Sequence, residues 1–190
     1  MFSVCVYCAS IEGIAAENRE LATAVGQGIG ERGWQLVSGG GRHSMMGAVG
    51  TAARLAGART LGVIPHALVD REWADHDSDE LLLVDTMRER KQLMEAHADA
   101  FLALPGGVGT CEELFEVWTS GYLGMHAKPV VVLDPFGHYT GLLSWVGELR
   151  DKGFVVPAAI ERLIVTTTVE DALDACAAGV PAADVSRMTR

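Results

Sequence analysis

Short apolar runs alternate with longer amphipathic stretches along the whole chain. The apolar runs are rich in Val, Ile and Leu and have the length of buried strands. The stretches between them repeat apolar residues every three or four positions, as one face of a helix does. The pattern predicts strands at 3–8, 34–38, 60–64, 81–84, 100–104, 130–133 and 163–165. It predicts helices at 17–32, 46–56, 87–97, 110–123, 140–152 and 169–177, and a polar loop at 66–79.

Strands that alternate with helices are typical of a parallel sheet covered by helices on both faces. We therefore predict a doubly wound α/β fold, with residues 1–180 forming a single domain and 181–190 a flexible tail. In such folds ligands bind beyond the carboxyl ends of the strands, where the following loops converge.

The overall charge narrows the class of partner. Of 190 residues, 25 are acidic and 15 are basic, so the net charge is -10, which argues against a general nucleic-acid binder.

The apolar runs are shorter than the roughly 18 residues that span a bilayer. No basic residue precedes Arg19, and Glu12 interrupts the first apolar run, unlike a secretory signal. We expect a cytoplasmic protein that binds neither nucleic acid nor membranes.

The cysteines and histidines offer little metal or redox chemistry. Cys5 and Cys8 have the spacing of a redox pair, but in a strand they point to opposite faces. Buried structural thiols are the favoured interpretation, and a redox or metal pair is the alternative. The histidines lack the spacing of metal ligands, so we expect no metal.

Two glycine-rich turns each follow a predicted strand and precede a predicted helix, at 39–41 and 105–110. Glycine lets backbone N–H groups approach a phosphate, and the helix start adds a favourable dipole. Either turn alone is equally consistent with a tight connection, but two at one sheet edge favour a phosphate or nucleotide ligand. Neither turn has the P-loop or the dinucleotide-binding pattern. Ser10, after the first strand, is either a phosphate or ribose donor or a turn serine.

Three carboxylates follow the second glycine-rich turn: Glu112, Glu113 and Glu116. Thr110 and Glu113 have the spacing of a capping box, which would explain both residues structurally. Alternatively, one carboxylate meets the positive charge that develops when a glycosidic bond breaks. Glu112 and Glu116 share a helix face, and Glu113 lies about 100° from it. Which of the three would be catalytic stays open.

A cationic segment, Met87-Arg88-Glu89-Arg90-Lys91, begins a predicted helix. Cations at a helix start oppose the helix dipole, which hints at an anionic partner, although a solvated charged face is the alternative. Arg90 could hold a phosphate bidentately, and Lys91 could act as a point charge.

The motifs resemble those of one known family. Pro105-Gly106-Gly107-Val108-Gly109-Thr110-Cys111-Glu112-Glu113 fits the Pro-Gly-Gly-x-Gly-Thr-x-x-Glu signature of the LOG proteins. These are cytokinin riboside 5'-monophosphate phosphoribohydrolases, often mislabelled as lysine decarboxylases. Met87–Lys91 resembles the Met-x-x-Arg-Lys element of that family. Further similar segments are 8–10, 39–41 with 46–47, and 123–126, so the resemblance runs from about residue 3 to 177.

The resemblance implies a Rossmann-like, nucleotide-binding homodimer without a cofactor. It implies hydrolysis of the bond between the base and ribose 5-phosphate in isopentenyl-AMP-type nucleotides and in AMP. By position, Arg90 and Glu113 match the catalytic pair. The resemblance also gives substrate-contacting positions, which join the turn residues described above. The full set of expected substrate-binding residues is Ser10, Gly40, Gly41, Glu72, Lys91, Gly106, Gly107, Val108, Gly109, Thr110, Cys111 and Glu112.

The sequence departs from the family pattern in the first glycine-rich loop. Ser44 stands where the family usually has Gly, and Arg42 and His43 replace a small or apolar pair. This departure leaves open how the first loop holds a phosphate and which base is selected. The alternative functions are a broad nucleoside 5'-monophosphate glycosidase in salvage and a non-catalytic nucleotide-binding protein. Lysine decarboxylase is the least plausible activity, since it needs pyridoxal phosphate on a lysine.

Overall fold

Fifteen regular elements order the chain in the computed structural model, which describes residues 1–71 and 73–179. The strands are β1 Ser3–Tyr7, β2 Gln35–Ser38, β3 Arg59–Pro65, β4 Glu80–Val84, β5 Ala100–Ala103, β6 Val130–Leu133 and β7 Leu163–Thr166. The α-helices are α1 Ala16–Glu31, α2 Ser44–Leu55, α3 Met87–Ala96, α4 Val108–Tyr122, α5 Thr140–Asp151, α6 Pro157–Glu161 and α7 Val169–Ala178. A 3₁₀ turn covers His66–Leu68. Within the described ranges, no helix is long and apolar enough to cross a membrane.

The predicted doubly wound α/β fold is confirmed. All seven strands pair in parallel, in the order β4-β3-β2-β1-β5-β6-β7. Each predicted element is present, with bounds that differ by a few residues. The pattern did not predict α6 or the 3₁₀ turn, because elements of five and three residues are too short to show a helical period. The predicted tail at 181–190 lies outside the described residues.

The helices cover both faces of the sheet. One apolar core lies between the sheet and α1, α2 and α7, and the other between the sheet and α3, α4, α5 and α6. Cys5 belongs to the second core and Cys8 to the first, so the two thiols lie on opposite faces, as predicted. Burial raises the pKa of both thiols far above the usual range. They are therefore packing groups within the cores.

The direction of winding reverses between β1 and β5, which are neighbours in the sheet. The turns after these strands meet, and the Ala9 N–H donates to the Pro105 carbonyl at 3.2 Å. The first glycine-rich turn follows β2, on the other side of β1. The topology thus brings both glycine-rich turns and the Ser10 turn to one edge, where ligands of such sheets bind.

Asp79 ties the beginnings of β3 and β4 together. Its carboxylate accepts hydrogen bonds from the Thr60 backbone N–H at 2.8 Å and from the Thr60 hydroxyl at 3.0 Å. These bonds, the backbone one foremost, lower the pKa of Asp79 below its ordinary value of 3.8. Because the folded pKa lies below the unfolded one, the stabilisation is present above pH 3.8 and is lost as the pH falls through the folded pKa.

We expect Asp79→Asn to lower the free energy of unfolding by about 0.5–1 kcal/mol at neutral pH, since the side chain is exposed. The difference from the wild type should shrink once the pH falls below the ordinary carboxyl pKa. Urea titrations of both proteins at neutral and acidic pH measure it. An equal difference at both pH values would show that the charge of Asp79 contributes nothing.

Candidate active site

The second glycine-rich turn leads directly into α4 and leaves its first backbone N–H groups open. Gly107 is the N-cap residue, and no side chain caps the helix. The first N–H groups of a helix have no acceptor within it. A Cβ at Gly107 or at Gly109 would meet no atom within 4 Å, so packing does not require glycine there. Open amides at the positive end of a helix dipole suit an anion such as a phosphate.

The capping-box explanation of Thr110 and Glu113 is wrong. The helix begins at Val108, so Thr110 is its third residue and lies buried. The real capping box is at the start of α3, where Thr86 accepts from the Glu89 N–H at 3.1 Å and Glu89 accepts from the Thr86 N–H at 3.0 Å. Helix capping therefore does not account for Glu113.

Glu113 lies on the side of α4 that faces the carboxyl end of β1. It is four residues after Gly109 and so shares a helix face with the open turn. Burial raises the pKa of Tyr7 and of Tyr139 far above the usual range, and the Glu113 carboxylate adds to both shifts. Glu113 itself is half-buried. The candidate catalytic carboxylate thus lies at the edge where the turns converge.

The other two carboxylates of α4 bind Lys91. The Lys91 ammonium contacts Glu112 and lies 2.6 Å from a Glu116 oxygen, which joins α3 to α4. Glu112 and Glu116 share a helix face, as predicted from their spacing. Partial burial disfavours the charged amine, but the two carboxylates outweigh it and raise the pKa of Lys91. Substrate contacts of Lys91 and Glu112 stay predictions; the structure places both residues in this salt bridge.

Arg90 connects α3 to the first glycine-rich turn. It is 4% exposed, its Nε donates to the Val63 carbonyl at 3.1 Å, and its Nη2 donates to the Gly39 carbonyl at 2.8 Å. A Cβ on Gly39 would overlap Nη2. Beyond the dominant effect of burial, Glu113 raises and Arg90 lowers the pKa of Cys5. The helices that carry the predicted catalytic pair, α3 and α4, cover the same face of the sheet.

The first glycine-rich turn differs physically from the second. The N–H of Gly40 donates to Ser38 Oγ at 3.3 Å, and the N–H of Gly41 donates to Met46 Sδ at 3.1 Å. Gly40 has φ +72°, and a Cβ there would lie 3.1 Å from the Val63 nitrogen. Local packing thus accounts for glycine at position 40, and internal hydrogen bonds occupy the N–H groups of both residues. Their contact with substrate stays a prediction, and the turn that leads into open helix amides is the second.

The loop at 66–79 packs on the first glycine-rich turn. The N–H of Asp75 donates to the Gly40 carbonyl at 2.8 Å, and the N–H of Arg42 donates to the Trp73 carbonyl at 2.9 Å. Arg54 holds Asp75 through two contacts of 2.8 and 3.3 Å. Sequence reasoning missed this anchor, because the partners are far apart in the chain and show no common pattern.

The remaining predicted residues are distributed around the same edge. Ser10 is half-buried after β1. Cys111 is half-buried in the first turns of α4, and burial raises its pKa. Glu72 lies outside the described residues. Their roles toward substrate stay predictions.

Two residues at this edge were not predicted. Tyr139 donates its hydroxyl to the Leu104 carbonyl at 2.7 Å, and the His138 ring lies beside Gly106. Both follow β6, the neighbour of β5 in the sheet. The rule that strand-end loops converge was the available signal, since it applies to the loop after β6 as well.

Ser44 carries backbone strain at the start of α2. Its φ is +52°, in the left-handed region that favours glycine, which costs about 1 kcal/mol for other residues. We expect Ser44→Gly to raise the free energy of unfolding by about 0.5–1 kcal/mol. Urea unfolding measures the change. Ser120→Gly, within α4, is the control and should lower stability by about 0.5 kcal/mol. A loss in both variants would show that Ser44 is unstrained.

The chain is similar to proteins of one family. Residues 46–176 match the family model described as "Possible lysine decarboxylase". A Mycobacterium tuberculosis protein named cytokinin riboside 5'-monophosphate phosphoribohydrolase is 58% identical, over 93% of this chain and 94% of its own length. A Rhodococcoides fascians protein of the same name is 41% identical, over 91% of this chain and 88% of its own.

A solved structure extends the comparison to the fold. The molybdenum cofactor carrier protein of Chlamydomonas reinhardtii superimposes with a TM-score of 0.68 at 21% identity, over 92% of this chain and 94% of its own. At that identity the likeness concerns the fold alone. The family model and the close relatives, which span nearly the whole chain, place this protein in the LOG family.

Proposed function

We propose that this protein hydrolyses the N-glycosidic bond of cytokinin riboside 5'-monophosphates of the isopentenyl-AMP type, and of AMP, to the free base and ribose 5-phosphate. The observation that carries this proposal is the 58% identity, over 93% of the chain, to a relative with that activity in its name. The geometry of the second glycine-rich turn and of Glu113 supports it.

The 5'-phosphate is expected to bind at the start of α4. The amides of the open turn supply donors, and the helix dipole supplies a fixed positive potential. Binding energy from this remote group can position the bond that breaks. The sugar would then extend toward the carboxyl end of β1, where Glu113 lies.

Glu113 is expected to act on the ribosyl centre. In the reaction the C1'–N9 bond breaks, its electron pair leaves with the base, a water oxygen bonds to C1', and a water proton is released to the base. Positive charge develops on the sugar as the base departs, and the carboxylate would stabilise it or orient the water. Glu112 and Glu116 lie on another side of α4, where they bind Lys91. Glu113 is favoured for this role because it lies toward β1 and matches the family's catalytic carboxylate by position.

The lysines give no support to decarboxylation through pyridoxal phosphate. The chain has three, and each amine is engaged on another group. Lys91 binds two carboxylates, Lys128 donates to the Glu95 carbonyl at 2.6 Å, and Lys152 lies 3.4 Å from Glu148. Of these, only Lys91 lies near a glycine-rich turn, and the Glu112–Glu116 pair surrounds its amine.

Chromatography of the products tests the proposal directly. The purified protein is incubated in parallel with isopentenyl-AMP and with AMP, and free base is quantified over time. Faster release of isopentenyladenine than of adenine supports cytokinin activation. Equal release would indicate a broad nucleoside monophosphate glycosidase. Recovery of both nucleotides bound and intact would indicate a binding protein and overturn the assignment of Glu113 and Arg90.

We also propose that the protein is a homodimer. A groove of about 310 Å³ between α4, α5 and the segment before α6 is lined by aromatic side chains, among them Phe115, Trp118 and Tyr122. Trp145 and Phe154 at this groove are 52% and 78% exposed. Contiguous exposed apolar surface marks an interaction site. The cytoplasmic location and the lack of nucleic-acid or membrane partners stay predictions from the sequence.

Light scattering coupled to size-exclusion chromatography checks the dimer. We expect twice the chain mass for the wild type and a monomer for the double variant Trp145→Glu/Phe154→Glu, because buried unpaired charges oppose association. Leu55→Glu is the control, since Leu55 is exposed on α2 on the other side of the sheet. A dimer that persists in the double variant would place the interface elsewhere.

A further inference from the structure

Three consecutive carbonyl groups, from the residue after β5 into the second glycine-rich turn, are contacted by protein donors. Tyr139 donates its hydroxyl to Leu104 at 2.7 Å, and the Ala9 N–H donates to Pro105 at 3.2 Å. The carbonyl of the third residue, Gly106, lies 2.8 Å from Nε2 of His138. These contacts fix the carbonyl groups in position. The backbone amides that follow, at the start of α4, remain available to a ligand.

The loop that carries His138 is fixed by hydrogen bonds to its backbone. One carboxylate oxygen of the buried Asp134 accepts from the backbone N–H of His138 at 2.7 Å, and the other accepts from the backbone N–H of Tyr139 at 2.8 Å. The His138 ring packs edge-on against the Tyr139 ring, with centroids 4.8 Å apart. An exposed imidazole therefore has a fixed position at the turn.

The tautomer of His138 decides what the turn can offer a ligand. Nε2 is 2.8 Å from the Gly106 carbonyl oxygen and 3.3 Å from the Gly106 nitrogen. With a proton on Nε2, the ring donates to the carbonyl and cannot accept from the Gly106 N–H. Without that proton, Nε2 accepts the Gly106 N–H and occupies it. The shorter distance favours the donating form.

We propose that His138 is a positioning residue for the phosphate-binding turn. In its Nε2–H form, His138 anchors the Gly106 carbonyl and frees the Gly106 N–H for a phosphate oxygen of the substrate. A phosphate on that N–H in turn favours the Nε2–H form, since a ligand stabilises the state that binds it. This inference rests on the proposed function, because it assigns the phosphate to this turn.

Binding and kinetics of two variants test the role. His138→Phe keeps a ring but loses the hydrogen bond, and we expect affinity for ribose 5-phosphate and the KM for AMP to worsen about tenfold, with kcat changed less. His138→Gln places an amide nitrogen near the Nε2 position, so it should stay within about threefold of the wild type. Adenosine, which has no phosphate, should bind alike to all three proteins. Phe136→Leu, in the same loop, is the control.

The ring nitrogens give a second measurement. Long-range ¹H–¹⁵N spectra distinguish the two tautomers, and the His138→Gln variant assigns the signal. Saturating ribose 5-phosphate should leave His138 in the Nε2–H form. The opposite tautomer in the complex would overturn the proposal.

The other outcomes distinguish a failure of the positioning role of His138 from a failure of the proposed hydrolysis. Wild-type affinity for ribose 5-phosphate in His138→Phe, or an equal loss for adenosine, would overturn the positioning role. Poor binding by both variants, with unchanged thermal unfolding, would also overturn it, because the hydrogen bond would then be irrelevant. If the wild type binds ribose 5-phosphate through His138 but releases no base, the proposed hydrolysis fails and the positioning role stands.

Discussion

We expect Glu113→Gln to lower kcat for AMP hydrolysis by about 10²–10³-fold and to change KM by less than about threefold. The amide keeps the size of the side chain but cannot stabilise a developing positive charge or accept a proton. The carboxylate interaction strengthens as the base departs, so its loss falls on turnover more than on binding. Initial rates of base release over a range of AMP concentrations measure both constants.

Three matched variants make this result specific. Glu112→Gln and Glu116→Gln change carboxylates that bind Lys91 on a different face of the same helix, so each should affect kcat far less. Glu161 lies in α6, which directly precedes the amino end of β7, at the sheet edge opposite to the one where the turns converge. Glu161→Gln should therefore leave both constants unchanged. Near-normal turnover in Glu113→Gln, with a large loss in Glu112→Gln or Glu116→Gln, would reassign the catalytic carboxylate.

The second large effect concerns Arg90. We expect Arg90→Ala to lower the free energy of unfolding by about 3 kcal/mol, because two buried carbonyls lose a charged donor. Activity should suffer in both constants, with kcat lowered and KM raised, since the first glycine-rich turn and the face beside Glu113 lose their support. Urea unfolding and AMP kinetics on the same preparations separate the two losses. Wild-type stability in this variant would show that the guanidinium is not a structural anchor.

Gly39 provides an internal check of that anchor. A Cβ at Gly39 would overlap the Arg90 guanidinium, so Gly39→Ala should cost stability and activity mainly by displacing Arg90. In the Arg90→Ala background the same substitution should then cost little, which a double-mutant cycle measures directly. Gly147→Ala is the control: a Cβ there meets open space on α5, and alanine favours helix. Additive losses at Gly39 and Arg90 would contradict the coupling.

Local sequence patterns predicted much of the arrangement of the site. Strand and helix periods, with the rule on strand ends, were sufficient to place both glycine-rich turns and Ser10 at one edge. Helical spacing was sufficient to separate Glu113 from Glu112 and Glu116, because the angle between side chains depends on backbone geometry alone. The Arg90–Glu113 pair came from the motif resemblance, and its catalytic role stays a prediction.

Other features needed the tertiary structure. The two glycine-rich turns look alike in sequence, but Arg90 and β3 pack against the first, whereas no atom lies within Cβ reach of Gly107 and Gly109 in the second. Thr110 has the spacing of a cap, but the helix starts two residues earlier. Likewise, the sequence does not show that Lys91 pairs with α4 or that His138 contacts Gly106.

The sequence by itself therefore determined the order of elements, the edge at which they present their loops, and the helix faces that carry charge. These depend on repeats of two and 3.6 residues, which are local. Only the tertiary structure decided which turn leads into open helix amides, which cationic side chains already have protein partners, and which loop supports the site. Those properties depend on contacts between residues tens of positions apart, whose distances no local pattern encodes.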